Sequence, residues 1–109
     1  MPLKMKILGK TERKNGFDYR LVERSKNCAV YEQLDYEENG EEWTVAYEVF
    51  IIKNRKESKI GDRIIEAGEV FPGNEDFGDN AWSYGTFGKK EPALENAIKK
   101  FRIIKKKHG

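Results

Sequence analysis

The residues best equipped for chemistry are concentrated in one stretch, Phe71 to Gly88, which reads FPGNEDFGDNAWSYGTFG and sets three carboxylates among five aromatic rings. Three chemistries can be tried on it. A calcium loop needs alternating oxygen ligands closed by a bidentate glutamate at its twelfth position. With Asn74 first, Asp76 falls third, but Gly78 falls fifth and Gly85 twelfth, so this is not an EF-hand loop. Acid–base work needs two carboxylates converging on one substrate, whereas Glu75 and Asp76 are adjacent, point apart on a strand or turn, and have no nucleophile beside them. A phosphate cradle needs a Gly-Lys-Ser/Thr signature opening directly into a helix, which Gly73, Gly78, Gly85 and Gly88 do not provide. The same residues make good sense as a turn. Pro72-Gly73 is a turn signal, Asn74 and Asp76 suit capping of backbone N–H groups, and Phe77 and Trp82 are fit to plug the edge of a core.

Elsewhere the chemistry is sparse. Cys28 is the only cysteine, which excludes an internal disulfide and a cysteine-based zinc site. His108 is the only histidine, one residue from the end, and reads as part of a frayed basic tail. No metal and no cofactor is therefore expected. Charge is the more informative feature, because the net charge of +2 is unevenly spread. From Gln33 to Ile52 the chain carries Asp35, Glu37, Glu38, Glu41, Glu42 and Glu48 with no basic residue between them. Cations gather at Lys4, Lys6, Lys10, Arg13 and Lys14, at Lys53, Arg55, Lys56 and Lys59, and at Lys99, Lys100, Arg102, Lys105, Lys106 and Lys107. A basic stripe next to aromatic residues suits single-stranded nucleic acid, since cations hold phosphates while rings stack on bases. The phosphate candidates are Lys53, Arg55, Lys56, Lys99, Lys100, Arg102, Lys105 and Lys106, and the stacking candidates are Tyr19, Tyr31, Tyr47, Trp82 and Tyr84. The acidic tract suits a basic protein surface, with Glu37, Glu38, Glu41 and Glu42 joined by Phe77 and Trp82 in the contact.

The elements that must position these residues follow from pattern. At 109 residues, 38% hydrophobic and 37% charged, the chain fits one soluble domain over residues 1–109. It has no apolar run of membrane-spanning length and no signal-like start, which predicts a cytoplasmic protein with no membrane partner. LKMKILGK, from Leu3 to Lys10, alternates apolar and basic residues like a half-buried strand, and Asn15-Gly16 reads as a tight turn. Further strands are expected at Phe17–Arg24, Cys28–Tyr36 and Trp43–Ile52, with a hairpin at Asn39-Gly40. On the last of these, Trp43, Val45, Tyr47, Val49 and Ile51 share one face, with Phe50 and Ile52 on the other. Lys53 to Arg63 reads as a solvated loop or an extended hairpin tip, Arg63–Phe71 as a short strand broken near Ala67-Gly68, and Ala81–Phe87 as a final strand. Leu94, Ala97, Ile98, Phe101 and Ile104 form the stripe of a C-terminal amphipathic helix, with Pro92 in its first turn and lysines at its negative end. The sum is an α+β fold: an antiparallel meander of five to six strands packed against one helix. One helix is too short to cover a whole sheet, so either the sheet curls around it or the opposite face is open to a partner. Exposed edges and faces of this kind are what symmetric homodimers use.

The run AGEVFPGNEDFGDNAWSYGTF, followed by a short alanine-containing helix, resembles the C-terminal half of small uncharacterised proteins common in bacteriophage and mobile-element genomes. The resemblance covers about the last 45 residues and implies a phage or mobile-element accessory protein, without assigning any catalytic residue. The sequence reading is a non-enzymatic nucleic-acid-binding module. The alternative is a protein-interaction or inhibitor module that engages a host protein through the acidic hairpin and aromatic loop. An enzyme ranks third, since only carboxylates brought together by folding would build a reacting site.

Overall fold

The computed structural model describes residues 6–109. Its centre is a five-stranded antiparallel sheet in the order β1-β2-β3-β4-β9, formed by β1 (Thr11–Lys14), β2 (Phe17–Arg24), β3 (Cys28–Tyr36), β4 (Glu42–Ile51) and β9 (Ala81–Gly85). The helix α1 (Lys90–His108) lies across one face. The first turn works as its sequence requires, with Asn15 and Gly16 both at positive φ, 55° and 83°, the pair that matches the twist of a two-residue hairpin. The β3–β4 hairpin is longer. Asn39 Oδ1 accepts the Glu41 N–H at 2.9 Å, and Gly40, at φ 88°, donates its N–H to the Glu37 carbonyl.

The two central strands, β3 and β4, are buried on both faces, which is why Cys28–Tyr31 shows no alternation. Toward α1 point Cys28, Val30, Tyr47 and Val49, joined by Ile51, Trp82 and Tyr84, and they meet Ala93, Ala97, Phe101 and Ile104 of the helix. A shift in the β3–β4 register between Gln33 and Leu34 interrupts the expected face of β4, so the pattern holds from Tyr47 onward. The helix end is docked, correcting the expectation of a frayed tail at His108. Asn27 Nδ2 donates to the His108 carbonyl at 2.8 Å, and Ser25 Oγ and the Asn27 N–H donate to the Gly109 carbonyl. Carbonyls that a helix leaves unpaired are thus satisfied by the β2–β3 turn.

The opposite face is neither curled around α1 nor open. The chain covers it with its own residues: Phe71 packs tilted or edge-on at 4.7, 5.1 and 4.9 Å from the rings of Tyr19, Tyr31 and Phe50, and Leu8, Phe17, Leu21 and Phe77 close the rest. Phe71 is brought there by a ribbon inserted between β4 and β9. In it β5 (Lys53–Arg55) pairs with β8 (Gly68–Val70), and β6 (Ser58–Ile60) pairs with β7 (Arg63–Ile65). The charged stretch is therefore an extended hairpin tip, while Arg63–Phe71 pairs within the ribbon and does not join the main sheet. Of the expected first strand, Leu3, Lys4 and Met5 lie outside the described residues. Lys6 makes a single parallel bridge to Gly68, Leu8 is buried, and Thr11–Lys14 is the strand that forms the edge. Among the described residues, no helix is long and apolar enough to cross a membrane.

Candidate functional site

The structure divides the phosphate candidates between two faces. Lys99, Arg102, Lys105 and Lys106 stand exposed on α1, and one carboxylate answers them, Glu95, 3.6 Å from Lys99. Lys100 is half-buried with its Nζ 4.1 Å over the ring of Trp82, a cation–π contact that fixes the side chain against the sheet edge. Tyr84 is half-buried beneath the helix. The other three cations belong to the ribbon. Lys53 Nζ donates to Asp76 Oδ1 at 3.1 Å, Arg55 donates to the Glu66 carbonyl at 3.2 Å, and Lys56 is exposed. Of the proposed stacking rings, Tyr31, Tyr47 and Tyr19 are 0%, 2% and 5% exposed, so they serve the two cores.

The acidic set is divided as well. Glu37, Glu38 and Glu41 are exposed at the hairpin tip, while Glu42 accepts from Arg20, which also donates to Glu32. Phe77 packs into the core away from α1, whereas Trp82 faces the helix. Trp82 pairs with Val49, seven residues along β4 from Glu42, which is roughly 23 Å of strand. The hairpin tip and the two aromatics do not form one contact surface.

The loop that begins at Phe71 is a covering element. Asp76, 5% exposed, accepts the Gly73 N–H at 2.9 Å and the Lys53 ammonium, and these bonds, the Gly73 amide foremost, hold its carboxyl below the usual range. They pin the short 3-10 turn at Asn74–Asp76 that carries Phe71 and Phe77 over the sheet.

Under that loop lies a residue that the sequence reading left in the acidic tract. Glu48, 7% exposed, sits in β4 on the face away from α1. Burial pushes its carboxyl up to about 7, held back by the Tyr19 hydroxyl and the Lys14 ammonium. Tyr19 is itself pushed up to about 12, first by burial and then by Glu48, and its oxygen accepts a Gln33 Nε2–H at 3.2 Å. Lys14 turns its Nζ to the Pro72 carbonyl at 2.5 Å and the Phe71 carbonyl at 3.5 Å. These groups line a cleft of about 160 Å³ with Phe17, Phe71, Phe77 and Asn74. Next to it, a broader depression of about 450 Å³ is lined by Lys14, Lys53, Arg55 and Phe71. A carboxylate poised near pH 7 beside aromatic walls can exchange a proton or accept N–H donors from a guest. The signal was present in sequence, since Glu48 is the one charge in a run that is apolar on both sides, Val45 to Ile52.

Among the described residues no three histidine, cysteine or acidic side chains converge as a metal site. In comparisons with protein families, with curated proteins and with solved structures, nothing matches this chain.

Proposed function

We propose that the protein is a non-enzymatic nucleic-acid-binding module that holds a single strand along the outer face of α1. The observation that carries this reading is the exposed row Lys99, Arg102, Lys105, Lys106 and Lys107, faced on the helix by Glu95 alone among paired carboxylates. A cationic row with a single counter-charge among its five members attracts phosphates and releases their counterions on binding. Because Tyr19, Tyr31 and Tyr47 are spent in the cores, stacking falls to the half-buried Trp82 and Tyr84 at the β9 edge, where Lys100 already lies over the Trp82 ring. The setting that goes with this reading is the cytoplasm, and its partner is a strand of nucleic acid. The test is fluorescence anisotropy of labelled single-stranded DNA, single-stranded RNA and duplex DNA at low and physiological salt. Replacing Lys105, Lys106 and Lys107 with glutamine should weaken single-strand binding and reduce the salt slope by about 2, at roughly 0.7 per phosphate contact. An unchanged affinity and slope would exclude this face.

A second reading is a protein-interaction or inhibitor module of a phage or mobile element. It is favoured by the exposed Glu37, Glu38 and Glu41, which make no ion pair among the described residues. Their replacement by glutamine should then abolish capture of a basic host protein while leaving strand binding intact.

A further inference from the structure

Glu48 is buried at the centre of the sheet without a counter-charge. Among the described residues no ion pair reaches it, and the cation that faces it, Lys14, is bonded to the Phe71 and Pro72 carbonyls instead. A buried carboxylate that holds the Tyr19 hydroxyl but no ion pair is costly to a fold, and groups of this kind concentrate where a ligand meets them. The carboxylate lines a cleft whose other members fall into three chemical kinds. Phe17, Tyr19, Phe71 and Phe77 supply flat apolar faces, Gln33 and Asn74 supply carboxamides, and Lys14 supplies positive charge that continues outward to Lys53 and Arg55, three cations set against Glu75 and the Lys53-paired Asp76. A guest that fits must be flat, must bring N–H donors to the carboxylate, and must carry an anionic group beside them. An organic cation meets the first two conditions and fails the third, since Lys14 repels it.

We propose that this cleft is a nucleotide site selective for guanine, with the base laid against the aromatic side chains, Glu48 accepting its two adjacent N–H groups, and Lys14, Lys53 and Arg55 holding the phosphate. Guanine is the base whose pairing edge sets an N–H directly beside an amino group, the complement of a single carboxylate; adenine and cytosine set an acceptor beside the amino group, and uracil offers one N–H. A cleft of about 160 Å³ admits one base and leaves sugar and phosphate in the adjoining depression. The inference goes beyond strand binding by α1, because the cleft lies on the other face of the sheet and does not use the helix.

Titration calorimetry with GMP, AMP, CMP and UMP tests it, alongside amide chemical-shift mapping. GMP should bind at least tenfold more tightly than the other three and shift the amides of Lys14, Gln33, Glu48 and Phe71. Glu48→Gln should lose tenfold or more in GMP affinity without a lower melting temperature, and Asn74→Ala, on the exposed rim, should weaken binding without touching the core. Wild-type affinity should rise from pH 6 to pH 8 as Glu48 ionises; of the groups facing it, Lys14 and Tyr19, the tyrosine is pushed up to about 12 and keeps its proton. Equal binding of all four nucleotides, no saturation by GMP at millimolar concentration, or unchanged affinity in Glu48→Gln would overturn the proposal. Glutamine at Lys105, Lys106 and Lys107 should leave GMP affinity unchanged. A loss there would show that GMP is held by the charge of α1, overturning the cleft while leaving the strand-binding reading standing.

Discussion

Two carboxylates drive the stability of this protein in opposite directions with pH. Glu48 has a folded value of about 7 against an ordinary 4.5, so between these values the native state keeps a proton that the unfolded chain gives up. Stability must then fall as pH rises from about 4.5 to about 7 and level off above, by up to roughly 3 kcal/mol. Glu48→Gln removes that dependence, and denaturant unfolding should find it about 1–3 kcal/mol more stable than wild type at pH 8 and nearly equal to it at pH 4.5. A wild-type advantage at pH 8 would mean that the ionised carboxylate is satisfied by its neighbours. Glu69 behaves the other way. Two Arg24 hydrogen bonds, at 2.8 and 2.9 Å, and the Leu8 N–H lower its carboxyl, so its contribution is present above the ordinary value and is lost as pH falls through the lowered one. Neither role was legible from residue type. Both are glutamates set among apolar neighbours in sequence, VAYEVFII and AGEVF, and only the covering of β4 by Phe71 and the approach of β8 to β2 tell them apart.

At the scale of elements, the ribbon is joined to the N-terminal segment at a glycine that nothing larger can replace. Gly68 has φ 149°, and a Cβ there would collide with the backbone of Lys6, whose N–H donates to the Ala67 carbonyl and whose carbonyl accepts the Glu69 N–H. Gly68→Ala must break these bonds or strain the strand, at a cost of about 2–4 kcal/mol. Thermal unfolding should show a melting temperature lower by roughly 10 °C or more, while Gly61→Ala, at a hairpin tip with open space around it, should cost less. The contrast explains what could be read beforehand. The Asn15-Gly16 turn, the hairpin at Asn39-Gly40 and the stripe of α1 depend on residues a few positions apart, so their spacing declares them. The ribbon depends on Arg24 meeting Glu69 and on Lys14 meeting Pro72, across 45 and 58 positions, and no local pattern encodes that. The alternation of Leu3–Lys10 leads, among the described residues, to a single bridge at Lys6 and no longer strand, for the same reason. Its one described inward residue, Leu8, is buried by docking against the second core and needs no ladder.

At the scale of the molecule, the sheet is a middle layer with a core on each face, and among the described residues α1 alone seals one of them. Cys28 reports on that seal. Its thiol is 0% exposed in the helix-side core, and burial pushes its pKa up. A thiol reagent can reach it only when α1 lifts away or the whole fold opens, so labelling in native buffer should be slow and should track the opening equilibrium. Phe101, 2% exposed, is the largest side chain that α1 buries there, and Phe101→Ala should cost about 3–5 kcal/mol. Labelling of Cys28 should then accelerate on the order of a hundredfold or more, since each 1.4 kcal/mol is a factor of ten. Glutamine at Lys105, Lys106 and Lys107 should leave the labelling rate nearly unchanged, because those side chains are exposed and touch the buried stripe only where the Lys105 Nζ lies 6.0 Å from the Phe101 ring centroid. If the glutamine variant labelled as fast as Phe101→Ala, its loss of strand binding would reflect an undocked helix, and the phosphate contacts would have to be sought on another face. If it labels like wild type, the apolar and basic sides of α1 are separable, and a loss of strand affinity in that variant reads directly on charge.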